Sequence, residues 1–166
     1  SVDGISMKFN FDNEDYALSL FNLANIYLSM KSYSDAVKLY EESLSILKKS
    51  SKKDLIFILN NLADAYSKIG NYSGAEKILK EILDTQQKNL GIEHPNYLVS
   101  LSNLAGVYFN AGNYAESEKK FKDVLGIKEK VLGVKHLDYA ISLNDLAMVY
   151  AEFQSGVSRI SRRRCL

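Results

Sequence analysis

Tryptophan is absent from the 166 residues, and cysteine and proline occur once each. A lone thiol, Cys165, closes no internal disulfide, so the fold rests on packing, as suits a reducing compartment, cytoplasmic by default with the nucleus as second choice. No uninterrupted apolar run approaches the roughly 18 residues a bilayer span requires, which excludes a membrane partner of that kind. Gly-rich phosphate loops, nucleophile elbows and HExxH segments are all missing, so neither catalysis nor a cofactor is expected. The start, Ser1-Val2-Asp3-Gly4, lacks an initiator methionine, a basic stretch and an apolar stretch. It reads as a piece cut from a longer chain, without a targeting signal.

Charge of one sign is also scarce. The formal net charge is +1, but Arg159, Arg162, Arg163 and Arg164 crowd the end, and without those four the remainder stands at −3. A mildly acidic body presents no basic face for nucleic acid. The arginine-rich end, residues 154–166, reads as an irregular basic tail, and residues 1–14 as an extension.

What the chain has in quantity is repetition. Leu20-x-x-Leu23-Ala24-x-x-Tyr27 returns at Leu59 to Tyr66, Leu101 to Tyr108 and Leu143 to Tyr150, in tyrosine steps of 39, 42 and 42 residues. Such periods mark helical arrays whose units bury their apolar faces only by stacking on neighbours. A second amphipathic segment follows each phrase: Tyr33, Ala36, Leu39, Tyr40, Leu44 and Leu47 in the first unit, Tyr72, Ala75, Leu79, Ile82 and Leu83 in the second. Steps of three and four place these residues on one helical stripe, so each unit is a helical hairpin.

Small residues set how closely the paired helices approach. Ala24, Ala63, Ala105 and Ala147 sit mid-helix, facing Ala36 and Ala75, with Ser117 as the counterpart in the third unit. Gly70 and Gly112 mark turns that need a positive φ, whereas Lys31 and Gln154 at the matching places predict turns that close differently. Asp12 or Asn13 would cap the first helix ahead of Glu14 and Asp15, and Pro95 opens the third unit's first helix. The units are placed at about 15–50, 54–89, 95–131 and 137–153; in the fourth, Gly156 and Arg159 replace the residues a second helix needs.

The alternation resembles the tetratricopeptide repeat, W-x₂-L-G-x₂-Y then A-x₃-F, with leucine for tryptophan and alanine for glycine, while Ala36-x₃-Tyr40 and Ala75-x₃-Leu79 keep the second half. The 42-residue period and the joints Leu90 to Pro95 and Leu132 to Leu137 look like the long variety found in kinesin light chains. The resemblance covers residues 15 to about 153. It implies an all-α right-handed superhelix of antiparallel hairpins, three complete and a partial fourth, acting as a non-catalytic adaptor or scaffold for a protein or peptide.

His94 and His136 occupy the same joint in successive units, 42 residues apart, which is too far for one metal ion. They read as helix-start residues. The position before each Leu-Ala pair carries Asn22, Asn61, Asn103 and Asp145. By the resemblance these four look into the concave groove, where amides can pair with an extended peptide backbone; the alternative is that they bridge neighbouring helices. Asn25, Asp64, Gly106 and Met148 follow on the same face, with Lys68, Asn110 and Glu152 a turn beyond. Phe21, Leu28 and Phe109 are the expected apolar anchors.

Two family uses are tested by these residues, and the basic groove side chains with which kinesin light chains hold acidic cargo segments are scarce here. The chaperone-binding branch grips a terminal carboxylate with lysine and arginine, but the corresponding places hold Phe21, Asn25, Asn61, Val99 and Asn103; one unit further they hold Asn60, Asp64, Asn103, Ile141 and Asp145. No carboxylate clamp is expected, and the peptide should be neutral to mildly basic. Lysines and glutamates on the second helices, such as Glu76, Lys77, Lys80, Glu81 and Glu116 to Lys122, read as a solvated outer face. A competing use is self-association into a homodimer through Leu137, Ile141, Leu143, Leu146, Val149, Tyr150 and Phe153, which have no complete partner helix. A regulatory arm of a larger enzyme is the third.

Overall fold

The computed structural model describes the backbone of residues 13–47 and 55–164, and the side chains of 14–47 and 55–155. Expectations for the N-terminal extension, Asp12, the side chains of Asn13 and the terminal arginines, Cys165 and the boundary between the first two units lie outside the described residues. Seven helices and no strand occur among the described residues: α1 (Asn13–Ser29), α2 (Tyr33–Ile46), α3 (Ile56–Lys68), α4 (Tyr72–Asn89), α5 (Pro95–Asn110), α6 (Tyr114–Leu132) and α7 (Leu137–Arg164). Each packs on the next in chain order, and α3 also touches α1 and α5. The result is a stacked array of hairpins with α1, α3, α5 and α7 as first helices.

The small residues do what their size allows. Ala24, Ala63 and Ala105 are buried, as are Ala36, Ala75 and Ser117 opposite them. Ser117 does more than substitute for alanine, since its hydroxyl donates to the Ala105 carbonyl at 2.9 Å across the helix pair. Ser43 does the same to Ala17, at 2.7 Å. Three apolar cores follow the stacking, the central one built on Leu79, Ile82, Leu101 and Leu104, one between the first unit and α3 around Tyr40 and Leu62, and a small third around Phe121, Leu146 and Val149.

The turns correct one expectation. Gly70 and Gly112 take φ of 82° and 76°, and Lys31 takes the same conformation at 62° instead of closing differently. Ser32 donates to the Tyr27 carbonyl as Asn71 does to Tyr66 and Asn113 to Tyr108, so three turns share one hydrogen-bond pattern. That pattern demands positive φ from whatever residue stands there.

The fourth place differs again: no turn forms at Gln154, and α7 runs unbroken as helix to Arg164, where an irregular tail was expected from 154. No proline interrupts it, and Gly156 alone lowers helix stability by only about 1 kcal/mol without ending the helix. Consequently α7 has no second helix folded back on it among the described residues. Leu101 is 5% exposed beneath α6, but its counterpart Leu143 is 43% exposed, and Ala147 is exposed where Ala105 is buried.

The joints between units are built from the histidines. His94 caps α5, its Nδ1 accepting from the Asn96 amide at 3.1 Å, with Pro95 in the first turn. His136 Nδ1 accepts from the Asp138 amide at 3.2 Å, the same arrangement one unit on. Among the described residues no group of three metal-ligating side chains gathers.

Candidate peptide groove

The first helices carry a repeated surface pair. Two positions before each motif leucine stand Leu18, Phe57, Val99 and Ile141, which are 50, 74, 57 and 50% exposed. Four residues later, and therefore on the same helix face, come Asn22, Asn61, Asn103 and Asp145. An apolar row and a polar row thus run side by side across α1, α3, α5 and α7.

All of these residues except Asn22 line one trough. A cavity of about 480 Å³ between α1 and α3 contains Leu18, Phe21, Phe57 and Asn61. Phe57 and Asn61 reappear in the next, about 710 Å³, together with Val99 and Asn103. Val99 and Asn103 reappear in a third, about 350 Å³, with Ile141 and Asp145. Shared walls make the three continuous from α1 to α7. A fourth recess of about 340 Å³ opens deeper along α3 and α5, with Asn61, Asp64, Asn103 and Asn110 in its lining.

The expected site residues divide accordingly. Phe21, Asn61, Asp64, Asn103, Asn110 and Asp145 line the trough or its recess. Asn22 is exposed on α1, and Lys68 is exposed near the end of α3, away from these cavities. Leu28 and Phe109 are half-buried and pack inward: Leu28 joins the first core, and Phe109 meets Tyr114 edge-on at 5.6 Å in the third. Their position just after the motif tyrosine points them at the neighbouring helices.

Part of the polar set is engaged within the protein. The Asn25 Oδ1 accepts from the Tyr40 hydroxyl at 2.6 Å and from the Asn61 amide at 2.8 Å, tying α1, α2 and α3. Burial pushes the Tyr40 phenol up, which keeps it a donor. Asn110 likewise donates to Ser67 at 3.1 Å. Of the four row residues the bridging alternative therefore holds for one side of Asn61, through Asn25, while Asn22 and Asn103 stand exposed.

Electrostatically the trough leans acidic. Glu14, Asp64, Glu93, Asp138 and Asp145 line its cavities, against one ammonium, Lys128. That ammonium is occupied by the Asp138 carbonyl at 3.2 Å and the Ser142 hydroxyl at 2.9 Å. Burial holds the Asp145 carboxyl above its ordinary range, partly offset by Lys128.

The back of the array corrects another expectation. Glu76 and Glu118 are not merely solvated: Glu76 accepts from Tyr108 and Glu118 from Tyr150, both at 2.9 Å, and Tyr66 donates to Glu41 in the same way. Each tie joins a second helix to the first helix of the following unit.

At the sequence level Val99 and Ile141 fall at clamp positions and are not joined with Leu18 and Phe57 into a row, although all four positions two before the motif leucine are apolar. Repetition at one register position was the clue, but in Ile56-Phe57-Ile58 three apolar residues stand together and nothing local says which faces out.

Stacked hairpins around an open trough define a helical-repeat array. The chain belongs to the tetratricopeptide repeat family, whose profile matches residues 17–54, 54–130 and 99–155. Among solved structures it is similar to a kinesin light chain-like protein of Podosopora anserina with nearly identical TPR-like repeats, at 26% identity and a TM-score of 0.72 over 90% of this chain and 73% of that one. BtubC (BKLC) from P. vanneervenii is similar at 23% identity and a TM-score of 0.70, over 90% of this chain and 63% of that one. The first TPR of Spaghetti (RPAP3), solved bound to an HSP90 peptide, shares the fold at 18% identity and a TM-score of 0.55, over 85% of this chain and 95% of that one. No curated protein matches the sequence. The array is therefore of the kinesin-light-chain-like kind of tetratricopeptide domain.

Proposed function

We propose that this domain is an adaptor that holds a neutral to mildly basic peptide segment of a partner protein along the first helices. The observation carrying this reading is the doubled row, Leu18, Phe57, Val99 and Ile141 beside Asn22, Asn61, Asn103 and Asp145. Apolar side chains at one structural position in four successive units leave half or more of their surface uncovered, and its burial requires an occupant. The Spaghetti domain, of the same fold, holds a peptide. Here no lysine or arginine occupies the clamp positions, and the surrounding carboxylates would repel a terminal carboxylate. Each buried apolar anchor would contribute on the order of 1.5–3 kcal/mol, and the amides would set register against the peptide backbone.

The test is a pull-down of cell extract with the wild-type chain and with the Phe57→Ser/Val99→Ser double variant. Both side chains are mostly exposed, so the fold should survive the change. Loss of specific captured proteins by the double variant supports the groove; an unchanged set rejects it. A second reading, self-association through α7, is favoured by the open face at Leu143 and Ala147. Light scattering separates the two, since a monomer down to low micromolar concentration removes the dimer as the main role.

A further inference from the structure

The trough also constrains the shape of its occupant, an inference that rests on the groove reading. The first helices α1, α3 and α5 touch one another in sequence, and helices packed together generally have axes about 8–10 Å apart. Leu18, Phe57 and Val99 stand one per helix across the trough, and that packing distance sets the interval expected between them. A bound segment that fills this row must offer apolar side chains at the same interval on a single face.

Three backbone shapes can be compared. A β-strand repeats one face every second residue, about 6.6 Å, too short for the row. An α-helix reaches about 10.5 Å only after seven residues, and its amides and carbonyls are already paired with one another. The asparagines alongside would then meet no backbone. A polyproline II helix has three residues per turn at about 3.1 Å each, hence about 9.3 Å between residues on one face, and its backbone is unpaired. It matches the pitch and leaves its carbonyls available to Asn61 and Asn103.

Charge supplies the remaining constraint. Five carboxylates border the trough against one ammonium that is already hydrogen-bonded. The geometry points to a polyproline II segment with an apolar residue at every third position and basic residues between. Its apolar face covers Leu18, Phe57, Val99 and Ile141, while the basic side chains meet Glu14, Glu93 and Asp138 at the rim.

The probe is a fluorescein-labelled peptide of four Leu-Pro-Lys triplets, titrated against the whole chain by anisotropy. Two controls are a permuted peptide of identical composition with its leucines contiguous and a helix-forming peptide with leucine at heptad spacing and the same net charge. Binding of the triplet peptide at least ten-fold tighter than both controls, and lost ten-fold or more in Phe57→Ser/Val99→Ser, is the expected result. Equal or tighter binding of either control overturns the polyproline II assignment, as does no binding of any peptide. If a control is preferred and the double variant abolishes it, the groove stands and only the assigned shape falls. Binding that ignores the double variant overturns both.

Discussion

At the residue scale, Lys31 shows how a shared turn overrides a local preference. Its φ of 62° repeats the conformation that Gly70 and Gly112 adopt freely. A side chain in this left-handed region costs roughly 1–2 kcal/mol, part of which glycine returns through its more flexible unfolded chain. Lys31→Gly should accordingly raise stability by about 1 kcal/mol in urea unfolding, and Gly112→Lys should lower it by a similar amount. A Lys31→Gly chain no more stable than the parent would show that the lysine side chain contributes something of equal size. The buried serines make a second comparison. Ser117 donates to Ala105, whereas the Ser100 hydroxyl is equally buried and has no partner among the described residues. Ser117→Ala should therefore cost about 1 kcal/mol, while Ser100→Ala should be neutral or stabilising by about 1 kcal/mol. Equal effects of the two substitutions in the same unfolding assay would contradict the distinction.

Between elements, the tyrosine of the repeated phrase is the tie from one hairpin to the one before. Tyr66 reaches Glu41, Tyr108 reaches Glu76 and Tyr150 reaches Glu118. The hydrogen bonds from Lys80 and Tyr108 hold Glu76 below the ordinary carboxylate range, and those from Lys122 and Tyr150 do so for Glu118. A carboxylate whose folded pKa is depressed stabilises the fold at neutral pH and loses that contribution as pH falls through the folded value. Acidification below the carboxylate range should thus loosen the stack, and Tyr108→Phe should blunt that acid limb. The Tyr66 phenol is pushed up to about 12 by its bond to Glu41 and by burial. Its contribution is complete below the ordinary value of 10.0 and disappears as pH rises toward about 12. Thermal unfolding followed by circular dichroism across pH should show an alkaline fall that is shallower in Tyr66→Phe; identical alkaline limbs would remove Tyr66 as its source. These ties also mark what the sequence could convey. Helices, small-residue contacts and the glycine turns were legible because each has a local signature of period, size or φ. Tyr66 to Glu41 was not, because a charged residue on an outer stripe looks the same whether it meets water or the next hairpin. Leu18 and Phe57 in the outward row were hidden for the converse reason, since an apolar residue on a helix gives no local sign of which face is covered until stacking decides it.

For the whole molecule, stability follows position in the array. In a stacked repeat each unit touches only its neighbours, so the free energy is close to a sum of unit and junction terms. The interior hairpin α3–α4 and helix α5 are covered on both sides and share the central core, whereas α7 contributes only Leu146 and Val149 to the small third core. Its outer stripe, Leu143 and Ala147, lies open. Exposed backbone and few buried contacts place such an element at the low end of local stability. Native-state hydrogen exchange should therefore grade along the chain, fastest in α7 and slowest in α4 and α5. Leu104→Ala, in the central core, should destabilise the whole array by about 2–5 kcal/mol. Val149→Ala should accelerate exchange in α7 while leaving α3 to α5 unchanged. Replacing Gln154 onward with a glycine turn and a copy of the α6 sequence would supply the face that α7 lacks, and protection in α7 should then approach that of α5. If α7 already exchanges as slowly as α4 in dilute monomer, its open stripe is not the weak end, and stacking is not what sets stability along the array.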